Sequence, residues 1–151
     1  MHKTRGLYQV SLKVFLKNSL GQILVLKCLE QGRYKGFYDL PGGHIDAEEF
    51  PLPFVAVLKR EILEEVGEIS YKLEERPAAL GRRFIPLENN REGSDLYTMY
   101  IFFAGEYRTG EIKLSSEHSG YAWVDLKKIK LEDYFTAGIL EGAKEYLLSK
   151  K

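Results

Sequence analysis

Val10, Leu12, Val14 and Leu16 alternate with Ser11 and Lys13 near the start of the chain, which is the two-residue period of a strand with one buried face. Asn18-Ser19-Leu20-Gly21 then reads as a turn, and Ile23 to Leu29 as a second, more continuously apolar strand, so the two predict a hairpin. A polar loop from Gln31 to Gly36 leads to a short extended piece, Phe37 to Leu40, stopped by Pro41-Gly42-Gly43. The period then lengthens. Phe54, Val57, Leu58 and Ile62 recur at helical spacing and predict a helix facing a sheet. It should start near Pro53, since proline suits a first turn, and end at Gly67. Strand patterning returns at Tyr71 to Leu73, Ala78 to Ile85, Asp95 to Ala104 and Ala122 to Val124, with a polar loop from Pro86 to Ser94. Leu131 to Leu148 predicts a last amphipathic helix with Phe135, Ile139, Leu140, Ala143, Tyr146 and Leu147 on its inner side. Many strands and two one-faced helices point to an α/β fold with a mixed sheet packed between helices.

The chain has 151 residues, enough for a single domain over 1–151, and a domain of that size buries roughly 70% of its unfolded surface. No repeat, low-complexity tract or linker divides it. Lysine plus arginine and aspartate plus glutamate number 22 each, so there is no broad basic field to collect duplex nucleic acid. The one cysteine, Cys28, has no internal partner for a disulfide and sits in the apolar run Ile23 to Leu29 as a small buried hydrophobe. Met1 to Gly6 is polar, unlike a secretory leader, and no apolar run is long enough to span a bilayer. The expected compartment is the cytoplasm, with no membrane contact, and the chain is compatible with a homodimer.

Candidate chemistry gathers on the central helix. Glu61, Glu64 and Glu65 fall at i, i+3 and i+4, so their carboxylates converge on one side while Leu58 and Ile62 bury the other. Like charges at that spacing cost a few tenths of a kcal/mol, a loss recovered by binding cations, with Mg²⁺ or Mn²⁺ the natural ions for oxygen ligands. Leu40-Pro41-Gly42-Gly43 places side-chain-free backbone beside the helix, able to offer a carbonyl or amide at close range. Arg60, four residues before Glu64, can hold that carboxylate in a two-pronged hydrogen bond.

These residues resemble the Nudix box of the Nudix hydrolases: Gly, five residues, Glu, seven residues, then Arg-Glu-aliphatic-any-Glu-Glu-any-Gly-aliphatic. Gly43 matches the first glycine, Glu49 the next glutamate, and Arg60-Glu61-Ile62-Leu63-Glu64-Glu65-Val66-Gly67 the remainder. Two positions depart from it. Ten residues, Phe50 to Lys59, separate Glu49 from Arg60, which amounts to a three-residue insertion in a proline-rich stretch, and Glu68 stands where the pattern ends on an aliphatic residue. The resemblance implies a Nudix-type α/β/α sandwich with a central mixed β-sheet. It also implies divalent-ion ligation by Glu61, Glu64 and Glu65, completed by the Gly42 carbonyl, with Arg60 orienting a glutamate.

The activity it implies is Mg²⁺-dependent hydrolysis of a diphosphate linkage in a nucleoside diphosphate derivative, such as a nucleoside triphosphate or dinucleoside polyphosphate, by water attack at phosphorus. Within the box, Glu64 or Glu65 is the nominated proton acceptor. Outside it, Glu117, in Ser115-Ser116-Glu117-His118-Ser119-Gly120-Tyr121, resembles the glutamate that supplies a base or further ligand in several members. His118 reads as a loop residue or hydrogen-bond donor, because the site is already rich in hard oxygen donors. For substrate binding the candidates are Arg82 and Arg83, of which strand alternation lets at most one face a phosphate, and aromatic residues such as Tyr38 for base stacking. Two other readings stay open: a catalytically silent nucleotide-binding regulatory domain of the same fold, and an isomerase of the isopentenyl-diphosphate type, for which Cys28 lies in the wrong kind of segment.

Overall fold

The alternation in the first strand predicts one buried face. In the computed structural model, which describes residues 3–90 and 93–150, strand β1 (Tyr8–Lys17) is buried on both faces from Ser11 to Leu16, because helices cover the sheet on each side. Leu12, Val14 and Leu16 pack with Val57, Leu58, Ile62 and Val66 of helix α1 (Phe54–Val66). Phe15 points the other way, into a cluster with Ile139, Ala143 and Tyr146 of the C-terminal helix. Strand β2 (Ile23–Cys28) divides likewise, Leu24 and Leu26 to the first cluster and Ile23 and Val25 to the second. The result is an α/β/α sandwich around a mixed sheet, as the sequence predicts.

The predicted hairpin forms but is short. The turn forms, with Asn18 Oδ1 accepting from the Leu20 and Gln22 N–H groups at 3.0 and 2.9 Å, but β1 and β2 pair at their turn ends, Lys17 with Ile23, and then part. Between them come β3 (Tyr38–Asp39), which pairs with β2, and β4 (Gly42–His44), which pairs with β1 over Ser11 to Lys13. The glycine pair therefore does not stop the chain after Pro41. It continues as a strand against β1.

The other edge of β1 runs parallel to the long strand β7 (Leu96–Thr109), from Tyr8 beside Tyr97 to Lys17 beside Glu106. Antiparallel to β7 lie β5 (Ser70–Leu73) and β6 (Ala79–Ile85), and β8 (His118–Val124) closes against β2.

The predicted last helix is two. A short α2 (Leu131–Tyr134) gives way to extended backbone at Phe135 and Thr136, which sinks Phe135 into the core, and α3 (Ala137–Ser149) follows. Phe54, expected to face the sheet, keeps an edge contact with Phe103 but is half-exposed at the rim of the helix. Among the described residues no helix is long and apolar enough to cross a membrane.

Candidate active site

Two adjacent glycines allow two close approaches, of β4 to β1 and of an α1 side chain to β4. Gly42 has φ +139°, and a Cβ there would overlap the Leu12 carbonyl oxygen and stand 2.8 Å from the Lys13 Cα, so the backbone of β4 lies on β1 only because no side chain intervenes. At Gly43 the space a Cβ would need is filled by a carboxylate, with Glu61 Oε1 2.7 Å from that position. Gly43 is thus a cradle for Glu61.

Arg60 binds the acidic segments together. Its Nε and Nη2 each donate to the Glu49 carboxylate at 2.7 Å, its Nη1 donates to Glu64 at 3.1 and 3.2 Å, and Nη1 also stands 2.9 Å from Glu61 Oε1. The Glu49 carboxyl is held below its usual range, first by the hydrogen bonds from Arg60 and then by the Asp46 N–H. Glu49 closes a one-turn helix, 47–49, whose capping box with Asp46 fixes it before the Phe50 to Pro53 loop begins. The contact between Glu49 and α1 is therefore present across the ten-residue gap. Arg60→Lys, which keeps the charge and loses the fork, is expected to weaken Mn²⁺ uptake by about 10- to 100-fold, read by calorimetry.

Glu61 and Glu65 open into one cleft with Gly42, Gly43 and Glu117. Glu117 arrives because the chain after β7 follows the end of α1: Lys113 N–H donates to the Val66 carbonyl at 2.9 Å and Ser115 N–H to that of Glu65 at 3.1 Å. Glu65 is 3% exposed, and its Oε2 is buried without a hydrogen-bond partner. Burial first, then the charges of Asp39, Glu61 and Glu117, against the opposing pull of Lys13, push its carboxyl up to about 8. Burial and Glu64 also raise Glu61, against Arg60. Glu64 itself stands outside the cleft, its side chain 58% exposed, in the grip of Arg60.

Lys13, Asp39 and Arg83 line the same cleft, and the first two were not read as site residues in the sequence. Lys13, 6% exposed, donates to Asp39 Oδ2 at 3.0 Å and to the Leu40 carbonyl at 3.3 Å. Burial works to raise the Asp39 carboxyl, but the Lys13 charge, the nearby His118 ring at 3.9 Å, and hydrogen bonds from Lys13 and the Leu40 N–H hold it well below its usual range. Their signals were a lysine interrupting an apolar strand and an aspartate just before Leu-Pro-Gly-Gly. Arg83 donates to Tyr34 Oη at 3.1 Å and lies over the Tyr34 and Tyr100 rings. Arg82 faces Glu141 instead, 3.8 Å away, and lines neither this cleft nor the cavity beside it. That cavity, of about 40 Å³, shares Asp39, Arg83 and Tyr100 with the cleft and is otherwise walled mainly by Cys28, Tyr34, Phe37, Tyr38 and Ile139. The Cys28 thiol, half-buried there, is pushed up to about 11 by burial and the Asp39 charge.

Among the described residues no three His, Cys, Asp or Glu side chains stand close enough to hold an ion as placed. The donor set nevertheless fits one. An orphaned Glu65 oxygen, a glycine cradle around Glu61 and an all-oxygen group steadied by an arginine suit a hard divalent cation.

A family model described as the NUDIX domain matches residues 7–141. Among solved structures, the MutT protein from Methanosarcina mazei Go1 is similar over 99% of both chains, at 25% identity and a TM-score of 0.71. An ADP-ribose pyrophosphatase from Streptococcus suis 89-1591 shares the fold over 93% of this chain and 88% of its own, at 16% identity and a TM-score of 0.59. A C. elegans Ap4A hydrolase does so over 94% and 93%, at 17% identity and 0.58. No curated protein matches the sequence.

Proposed function

The chain belongs to the Nudix family, whose members are pyrophosphohydrolases of nucleotide-type substrates, and from that premise we propose that it hydrolyses the diphosphate linkage of a nucleoside diphosphate derivative with Mg²⁺, or Mn²⁺ in its place, as one domain over 1–151. The observation that carries this reading is the bipolar cleft: Glu61, Glu65 and Glu117 share it with Lys13 and Arg83, and one Glu65 oxygen is buried without a partner.

Glu61, Glu64 and Glu65 with the Gly42 carbonyl would hold the ion, Glu64 turning from Arg60 to do so. A bound divalent ion supplies neutralisation of the diphosphate oxygens and a more acidic attacking water. The protein's own part is positional. Arg60 keeps the carboxylates in register, Arg83 offers its fork to a phosphate oxygen, and a glutamate takes the proton of the water as its oxygen bonds to phosphorus and the bridging P–O bond breaks. Glu117 and Glu65 line the cleft and are favoured over Glu64 for that role. Tyr38 and its aromatic neighbours in the adjoining cavity suit the planar base.

The expected result is release of a nucleoside monophosphate from at least one of a panel of nucleoside triphosphates, nucleotide sugars, ADP-ribose and dinucleoside polyphosphates with Mg²⁺. Thermal stabilisation by a nucleotide at matched Mg²⁺, without turnover of any of them, would favour the silent binding domain instead.

A further inference from the structure

Lys13 is charged where β1 has every reason to be apolar. It stands between Leu12 and Val14 on the strand face that Phe15 continues into the core. Lysine is almost never buried unless paired, and a buried ion pair can often be replaced by well-packed apolar residues without loss of stability. Folding alone does not account for an ammonium at this place. Among the described residues its hydrogen bonds go to two acceptors, Asp39 Oδ2 and the Leu40 carbonyl, and an ammonium has three N–H donors. The remaining donor belongs to a residue in the wall of the cleft that holds Glu61, Glu65 and Glu117.

We infer that Lys13 contacts substrate, its third N–H donating to a non-bridging phosphate oxygen of the bound diphosphate; this rests on the diphosphate reading above. Asp39 and the Leu40 carbonyl, by taking the other two donors, fix the direction of the third. Asp39 is thus a positioning residue that acts through Lys13. Together with Arg83, itself steadied by Tyr34 and the rings beside it, Lys13 gives the cleft fixed positive groups that do not depend on a metal. A fixed donor of this kind discriminates between a phosphate and water without the cost of ordering a long side chain.

Calorimetry separates this role from a purely structural one. Mn²⁺ binding alone, and inorganic pyrophosphate binding at saturating Mn²⁺, are measured for the wild type, Lys13→Met, Asp39→Asn and the double variant K13M/D39N. The double variant removes both charges of the pair and serves where Lys13→Met alone leaves Asp39 unpaired and unfolds. The expected result is Mn²⁺ binding kept within a few-fold in K13M/D39N, where the two opposite charges beside Glu65 go together, and, in the variants lacking Lys13, a loss of about 10- to 100-fold in pyrophosphate affinity at saturating Mn²⁺, with Asp39→Asn retaining more of it than either. Wild-type pyrophosphate affinity in K13M/D39N overturns the inference and leaves the diphosphate reading standing. Equal loss of Mn²⁺ and pyrophosphate binding, or a double variant without a cooperative thermal transition, assigns the lysine to support of the fold and overturns it too. A wild type that takes up neither probe overturns the diphosphate reading itself.

Discussion

Glu65→Gln is expected to cut turnover by ~10²-fold or more while making the metal-free protein more stable at neutral and alkaline pH. The loss of turnover follows from removing a charged oxygen donor and candidate proton acceptor from the cleft. The gain in stability follows from where that carboxylate sits. An exposed glutamate ionises near 4.5, whereas burial and neighbouring acids hold the proton of Glu65 up to about 8 in the folded chain. Between those values the folded state binds more protons than the unfolded one, so metal-free stability falls as pH rises through that window. Below it both states are protonated and nothing is lost. Glutamine keeps the hydrogen-bonding shape without the charge, and the variant should therefore diverge upward from the wild type across the window by a few kcal/mol. Thermal unfolding against pH, in chelator and again in Mg²⁺, measures it. With the ion present the wild type should recover, because the cation takes over from the proton. Parallel pH curves for the two proteins in chelator would contradict the buried, strained state of Glu65.

The glycine pair should separate folding from function at adjacent positions. Gly42→Ala is expected to cost more than ~3 kcal/mol, because the new methyl meets the β1 backbone at Leu12 and Lys13 and φ +139° is a region that L side chains rarely adopt. Gly43→Ala meets a side chain instead. The Glu61 carboxylate can swing aside at small cost to the fold, yet it then leaves the cradle that aims it into the cleft. Gly43→Ala should accordingly unfold near the wild-type temperature and lose most of its divalent-ion uptake and turnover. Urea titration beside Mn²⁺ calorimetry distinguishes them. A Gly43→Ala protein with wild-type ion affinity would remove Glu61 from the proposed ligand set.

What the sequence made legible followed from local period and local spacing. The helix from Pro53 to Gly67 carries its apolar stripe and its acids in one stretch, so its register was available without any knowledge of neighbours. The sandwich class followed from two one-faced helices among many strands. Pairing across distance was not legible. The hairpin is confined to its turn end because β4 arrives from further along the chain to take the rest of the β1 edge that adjacency would have given to β2. One buried face was read for β1 because Ser11 and Lys13 look like solvent-facing residues, when each lines an internal cleft. Lys13 and Asp39 are far apart in sequence and meaningful only as a pair, which a linear reading cannot form. The break at Phe135 and Thr136 was hidden by a helical period that runs straight through it.

The clamp between Arg60 and Glu49 has a practical corollary. A forked hydrogen bond anchors the Glu49 side chain to α1, while the Leu52 N–H holds the Glu49 carbonyl at 2.9 Å, so the backbone of the Phe50 to Pro53 stretch supports the acid and only its exposed side chains are at liberty to drift. Phe50 is 89% exposed. The loop is therefore a natural tether point, where a fluorophore or an affinity handle can be grafted within sight of the cleft without entering it.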